Sequence, residues 1–239
     1  MGSKHKQFIT LALRLTLVVS ILFPSVSNIG QSQATSLINH STTEPESIWV
    51  VVNKQRPLNP INYAPNDLVA PKFGTLNANP YGRKLRSEAS TAAYKLAKAM
   101  NAAGKGSLVI QSAYRSYAEQ STVHDRQVTK YGLKIGEALA ARPGYSEHQT
   151  GWAMDVSARG QGCQIRVCFG QTKAGLWLAG NAWKYGFIIR YPQKATTYTG
   201  YQYEPWHLRY VGVGLAMVMH DDGVHVLEKS FSLPAAPNY

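Results

Sequence analysis

The sequence PGYSEHQTGWAMDV, residues 143–156, joins a turn-rich loop to an apolar stretch. Proline and glycine residues surround His148, which predicts a loop at that position. The stretch 152–156 that follows is apolar except for Asp155, seven residues after His148. Because a buried, unpaired carboxylate is costly, we expect Asp155 to contact a cation, an arginine or a metal ion.

A second stretch, YEPWHLRYV at residues 203–211, also places polar groups among large apolar ones. Glu204 precedes His207 by three residues, and neighbouring aromatic side chains suit a partly dry site. Two imidazoles and one carboxylate are a sufficient donor set for catalytic zinc, which leaves a fourth position for a water of pKa about 7. Residue types alone leave an alternative open, because a lone loop histidine is more often an ordinary hydrogen-bonded group.

The elements around these stretches mix helices and strands irregularly. Apolar residues at three- and four-residue steps predict a helix over 83–103, and Ser116 and Glu119 form a capping box that starts a second helix. Further helices are expected at 134–141 and 173–185, and strands at 49–52, 108–114, 152–156 and 187–191. Regular βαβ alternation is missing, so we predict a single α+β domain with helices packed on a mainly antiparallel sheet.

The N-terminus has the order of a secretory signal peptide: basic residues, a short apolar run and then a polar stretch. We assign residues 1–34 to this signal peptide and the turn-rich residues 35–47 to a linker. Residues 48–229 then form the catalytic-sized domain, and residues 230–239 a loose C-terminal tail. The expected location is the periplasm or cell-wall space, with membrane anchoring if the signal segment is retained.

The chain has two cysteines, Cys163 and Cys168. In an exported protein this pair is expected to close a small disulfide loop. Metal ligation and free thiols are the alternatives, although a second Cys or His pair with matching spacing is missing nearby.

The formal charge of +12 falls to +9 without the three basic residues of the signal peptide, which favours polyanionic surroundings. A nucleic-acid partner is not expected, because the sequence has no basic run, zinc finger or aromatic RNA-binding motif. Anionic cell-wall polymer or a membrane surface suits an exported protein, and a plainly solvated surface is the alternative. We expect a monomer.

Two motifs resemble those of a known enzyme family. SEHQTGWAMD, residues 146–155, is similar to a Ser-x-His-x-x-Gly-x-Ala-x-Asp signature, and EPWH, residues 204–207, to Glu-x-x-His. Both are signatures of the VanY-type D-alanyl-D-alanine carboxypeptidases, and the likeness extends over nearly all of residues 49–229. The resemblance implies an α+β fold shared with lysostaphin-type peptidases and hedgehog signalling domains.

The same resemblance implies roles for individual residues. It assigns one zinc ion per chain to His148, Asp155 and His207, with Glu204 as the catalytic base. It also implies that Arg115, in SAYRS, binds the substrate or polarises the scissile carbonyl, with Gln120 and Ser146 as supporting contacts. The planar fork of an arginine suits a free C-terminal carboxylate, whereas the alternative for a lone arginine is a surface salt bridge.

The function implied is removal of the terminal D-alanine from peptidoglycan stem peptides. An L,D-carboxypeptidase, a D-Ala-D-Ala dipeptidase and an endopeptidase acting on the same peptides use the same zinc chemistry. A non-catalytic, zinc-containing binding module is a further alternative. Trp152 and Met154 replace the smaller aliphatic residues usual in this family, which leaves the fine choice of substrate open.

Overall fold

The computed structural model describes residues 40–73, 78–80 and 82–239, so the predicted signal peptide lies outside the described residues. The strands are β1 Leu68–Val69, β2 Leu85–Arg86, β3 Leu108–Ser112, β4 Ala153–Ala158, β5 Phe187–Ile189 and β6 His207–Tyr210. A central four-stranded sheet has the order β3-β4-β6-β5, and β1 pairs with β2 in a second small sheet. Every pair in both sheets is antiparallel.

Helices pack around the central sheet. They are α1 Ser87–Ala102, α2 Tyr117–Tyr131, α3 Leu133–Leu139, α4 Lys173–Asn181, α5 Thr196–Thr199, α6 Val213–Asp221 and α7 Leu227–Ser230. Short 3-10 turns occupy Glu147–Thr150, Val167–Gln171 and Ala182–Tyr185. The predicted α+β class with a mainly antiparallel sheet is confirmed. Within the part of the chain that is described, no helix is both long and apolar enough to cross a membrane.

Local signals placed the helices well, with some shifts at their ends. The capping box is present at α2, where the Ser116 hydroxyl accepts from the Glu119 amide and the Glu119 carboxylate accepts from the Ser116 amide. Helix α1 buries its apolar face, including Leu96 and Met100, in the core. It begins at Ser87, four residues later than predicted, because the preceding residues of β2 pair with β1.

The prediction of a strand at 49–52 is wrong. This segment is fully buried, but it forms turns and extended backbone without a ladder partner. Its backbone groups bond to a nearby turn and to one distant side chain instead: the Val51 amide donates to the Thr42 carbonyl at 3.0 Å, and the Arg209 guanidinium donates to the Val50 carbonyl at 2.9 Å. A short apolar run indicates that a segment is buried. The periodicity of its apolar residues does not show whether the buried segment is a strand or irregular backbone.

Residues 230–239, expected as a loose tail, pack against the domain. Ala236 is buried, and its amide donates to the Tyr198 carbonyl at 2.8 Å. The Tyr239 hydroxyl accepts from the Arg142 amide at 2.8 Å, and its ring meets Tyr145 edge-on with centroids 5.3 Å apart. The C-terminus therefore covers the loop that leads into the 3-10 turn Glu147–Thr150.

Candidate metal centre and active-site cleft

Strand pairing brings Asp155 and His207 together. Asp155 on β4 is the direct register partner of His207 on β6, and side chains of directly opposed residues share one face of a sheet. The imidazole Nδ1 of His207 consequently lies 3.2 Å from Asp155 Oδ1. Both residues are buried.

His148 reaches the same point from the 3-10 turn before β4. The turn ends at Gly151, whose φ of 73° lies in the left-handed region that glycine adopts without strain. His148 Nδ1 donates to the Ala113 carbonyl at 2.7 Å, which leaves Nε2 without a proton. Nε2 lies 3.1 Å from Asp155 Oδ2, so its lone pair is directed into the cluster.

These three side chains fit a zinc ion. Their ligand atoms all lie within 4.8 Å of one another, and His and Asp ligands bind zinc at about 2.0–2.2 Å. Asp155 Oδ1 is buried and has no hydrogen-bond partner among the described residues, although His207 Nδ1 is close to it. Carboxylate oxygen and imidazole nitrogen are both atoms that bind zinc in proteins.

The surroundings of His207 also favour a positive charge at this point. Its Nε2 lies 3.4 Å from Glu147 Oε2, the arrangement by which carboxylates orient metal-binding histidines. Burial lowers the pKa of His207, but the adjacent carboxylates of Asp155 and Glu147 outweigh it and raise the pKa to about 9. The carboxylates that raise this pKa are negative charges that would also favour a metal cation at this point.

Glu204 lies beside the three ligands, in the turn that precedes β6. Its amide donates to the Tyr191 carbonyl at 3.0 Å, and its Oε2 is 3.7 Å from His207 Nδ1. Burial raises the pKa of Glu204 to about 7, even though His207 lowers it. A carboxylate with a pKa near neutrality both accepts and returns a proton efficiently.

Arg115 follows β3 and enters the same cleft, which has a volume of about 210 Å³ and is also lined by Glu204 and the three candidate ligands. The Arg115 amide donates to the His148 carbonyl at 3.2 Å, which anchors the residue beside the metal centre. The Nε atom of Arg115 is buried without a hydrogen-bond partner among the described residues. Burial also lowers the pKa of the Arg115 guanidinium. This burial disfavours the alternative of a surface salt bridge.

The two predicted supporting residues lie in different places. Ser146 is buried and lines the cleft. Gln120 is also buried, but it lies behind the cleft wall, where its Nε2 donates to the Ala141 carbonyl at 2.7 Å. Ala141 itself lines the cleft, so Gln120 supports the wall from behind. A substrate contact for either residue stays a prediction.

A buried ionic cluster behind the site was missed from the sequence. Glu147 Oε1 accepts from Arg190 Nε at 2.7 Å and from Arg209 Nη1 at 2.9 Å, while Arg190 also makes two hydrogen bonds to Glu228. Burial would raise the pKa of Glu147, but the two guanidinium groups hold it well below its usual range. Arg190 and Arg209 each stand in an apolar, strand-like stretch, as Asp155 does. Because buried charges need partners, both arginines could have been predicted from the sequence to pair with carboxylates.

The predicted disulfide between Cys163 and Cys168 is confirmed. The bonded pair closes a small loop that follows β4 and runs into the 3-10 turn Val167–Gln171. Ile165, inside this loop, lines the same cleft as the three candidate ligands.

Comparison with known proteins gives a consistent family. Residues 82–213 match the family model described as VanY, D-alanyl-D-alanine carboxypeptidase. YodJ of Bacillus subtilis (strain 168) is 44% identical over 188 residues, which cover 78% of this chain and 68% of YodJ. A D-alanyl-D-alanine carboxypeptidase of Enterococcus faecium is 34% identical over 182 residues, and the match covers 75% of this chain and 51% of that enzyme.

Solved structures have the same fold. The LdcB LD-carboxypeptidase is 42% identical with a TM-score of 0.70, and the match covers 79% of this chain and 87% of LdcB. A mutant of the vancomycin-resistance D,D-pentapeptidase VanY, in complex with Zn(II), is 28% identical with a TM-score of 0.63, over 76% of this chain and 97% of that one.

Proposed function

The chain belongs to the VanY family of D-alanyl-D-alanine carboxypeptidases, and from this premise we propose that it releases the terminal D-alanine of peptidoglycan stem pentapeptides. It is a zinc metallopeptidase that acts on cell-wall peptides. The observation that carries the proposal is that Arg115, Glu204 and the three metal ligands line one cleft. In this arrangement a residue that can bind the substrate's carboxylate lies beside the groups that can hydrolyse the peptide bond.

The chain's own residues supply positioning and proton transfer. When held by His148, Asp155 and His207, zinc contributes Lewis acidity, lowering the pKa of a water and polarising a carbonyl group. Glu204, whose Oε2 lies 3.7 Å from His207 Nδ1, would take the proton from the attacking water and return it to the departing amino group of D-alanine. The buried contact between His207 Nε2 and the Glu147 carboxylate keeps His207 Nδ1 directed at the metal position.

Arg115 is proposed to bind the free carboxylate of the terminal D-alanine. Its side chain is partly buried, and its Nε is fully buried without a partner among the described residues, so an incoming carboxylate satisfies a group that is otherwise costly. A guanidinium fork also binds a carboxylate through two parallel hydrogen bonds, which fixes the orientation of the terminal residue.

An L,D-carboxypeptidase is the second candidate. The observation in its favour is the similarity to the LdcB LD-carboxypeptidase, which exceeds that to the VanY D,D-pentapeptidase in both identity and TM-score. The two activities share the terminal D-alanine and its carboxylate. They differ in the configuration and side chain of the residue before the cleaved bond.

Product analysis separates these candidates. We expect mass spectrometry to show loss of one D-alanine from a stem pentapeptide, with the tetrapeptide left intact. Release from the tetrapeptide alone would establish the L,D activity instead. Release of D-Ala-D-Ala would indicate a dipeptidase, and cleavage within the stem an endopeptidase.

Arg115→Lys tests the carboxylate anchor. The variant keeps the positive charge but loses the bidentate fork, and hydrogen bonds to charged groups contribute about 1.5–3 kcal/mol. We expect KM for the pentapeptide to rise by about 10- to 100-fold, with a smaller change in kcat. The measurement is steady-state D-alanine release.

A substrate with an amidated C-terminus is the matched control for this variant. The wild type is expected to lose affinity for the amide, while Arg115→Lys discriminates far less between acid and amide. Arg142→Lys, at a partly exposed ion pair with Glu137, is the control substitution and should change neither constant. Equal preference for acid and amide in the wild type contradicts the role of Arg115.

We further propose that the protein acts outside the cytoplasm. Disulfides such as Cys163–Cys168 form and persist in oxidising compartments, which supports export. The excess of basic residues supports anionic cell-wall polymer or a membrane surface as its surroundings. Cell fractionation of the host, with detection of the processed chain, tests this location.

A further inference from the structure

The disulfide loop carries an apolar side chain at the rim of the active-site cleft. Ile165, between Cys163 and Cys168, is 41% exposed and lines the cleft together with Arg115 and Glu204. Single exposed aliphatic residues are common on protein surfaces. A β-branched residue at the rim of a cleft that binds a peptide is in a position to contact that peptide.

Ile165 also has an unfavourable backbone conformation. Its φ is 50°, in the left-handed region, and Cys163 has a φ of 55°. A β-branched residue is rarely found there, whereas glycine adopts this conformation without penalty. Such strain persists where the surroundings impose it, and it clusters at ligand-binding positions. The loop therefore retains an isoleucine at a position where glycine would be easier to accommodate.

The loop is held against the segment that carries Glu204. Gly170, on the adjoining 3-10 turn Val167–Gln171, packs so tightly that an added Cβ would lie 2.5 Å from the Tyr203 hydroxyl and 3.2 Å from Pro205. Tyr203 and Pro205 are the two neighbours of Glu204 in the chain. The disulfide loop and the catalytic-base segment are thus packed against each other as parts of one cleft wall.

We propose that Ile165 is a specificity-determining residue that contacts the side chain of the substrate residue immediately before the cleaved bond. In the proposed function Arg115 binds the terminal carboxylate and so holds the terminal residue of the substrate. Ile165, an apolar residue in the same cleft lining, is then available to contact the residue that precedes it. The loop selects peptides with an alkyl side chain at this position. This inference rests on the proposed carboxypeptidase function.

Ile165→Gly tests the contact without straining the loop. Glycine removes the side chain and suits the left-handed backbone, while it gives the unfolded chain more freedom; because these two effects oppose each other, the thermal unfolding midpoint should change little. For the stem peptide that the wild type cleaves, we expect KM to rise by about tenfold with kcat nearly unchanged, as for loss of a small apolar contact. For an analogue with glycine before the cleaved bond, KM should be the same in variant and wild type.

Two further variants complete the test. Val167→Ser changes an exposed aliphatic residue on the same loop that is not part of the cleft lining. It should leave KM unchanged for both substrates. Ile165→Val keeps the β-branched side chain and should retain most of the discrimination. If the wild type cleaves the stem peptide but Ile165→Gly leaves the KM ratio of the two substrates unchanged, the contact is refuted and the proposed function stands. If the wild type cleaves no stem peptide, both proposals fall.

Discussion

Replacing Glu204 with glutamine is expected to lower kcat for D-alanine release by about a thousandfold, within the range typical of a lost general acid-base group. Glutamine preserves the size of the side chain but cannot accept the proton of the attacking water. Because Glu204 is not one of the three candidate ligands, the zinc content should remain at one ion per chain. Steady-state kinetics and elemental analysis of the same preparation measure both quantities.

Two controls define this result. Treatment of the wild type with a chelator should abolish release, and re-addition of zinc should restore it. Glu137→Gln, which changes a carboxylate paired with the partly exposed Arg142, should retain full activity. Near-normal turnover in Glu204→Gln would remove the catalytic base from the mechanism, and an unaffected biological role without turnover would favour a zinc-containing binding module.

The second large effect is expected in the buried ionic cluster. Glu147→Gln should lower the free energy of unfolding by about 3–5 kcal/mol, because it leaves a buried guanidinium without its carboxylate. Arg190 keeps its two hydrogen bonds to Glu228, whereas the remaining acceptors of Arg209 are backbone carbonyl oxygens. Urea unfolding of the metal-free protein measures this loss separately from zinc binding.

The same substitution should weaken zinc binding by about 10- to 100-fold, because Glu147 orients His207 through Nε2. Glu137→Gln is again the matched control: its ion pair with Arg142 is only partly buried, so its loss should cost about 1 kcal/mol, less than the loss of the fully buried Glu147. Unfolding free energies that are equal for the two variants would show that the buried cluster is not a stabilising feature.

Much of the fold could be predicted from local sequence. The capping box at Ser116 and Glu119 gave the start of α2 correctly, and the apolar periodicity gave the body of α1, because both signals act within a few residues of chain. The apolar run 49–52 was misassigned, since its backbone groups bond to a nearby turn and to Arg209, which is distant in sequence, and not to a neighbouring strand. Hydrogen bonds from a distant side chain to the backbone of a segment leave no pattern in that segment's own sequence.

The amino-acid sequence by itself determined which residue types are available for the chemistry: two motifs with the donors for zinc, a carboxylate near them and an arginine after a strand. Tertiary structure decided how they meet. Asp155 faces His207 because β4 pairs with β6 in one register, and a shift by one residue would turn either side chain to the opposite face. The partnership of Glu147 with Arg190 and Arg209, and the position of Ile165 in the cleft, likewise depend on which distant segments pack together. Those contacts follow from burial and strand pairing over the whole domain, which no short stretch of sequence encodes.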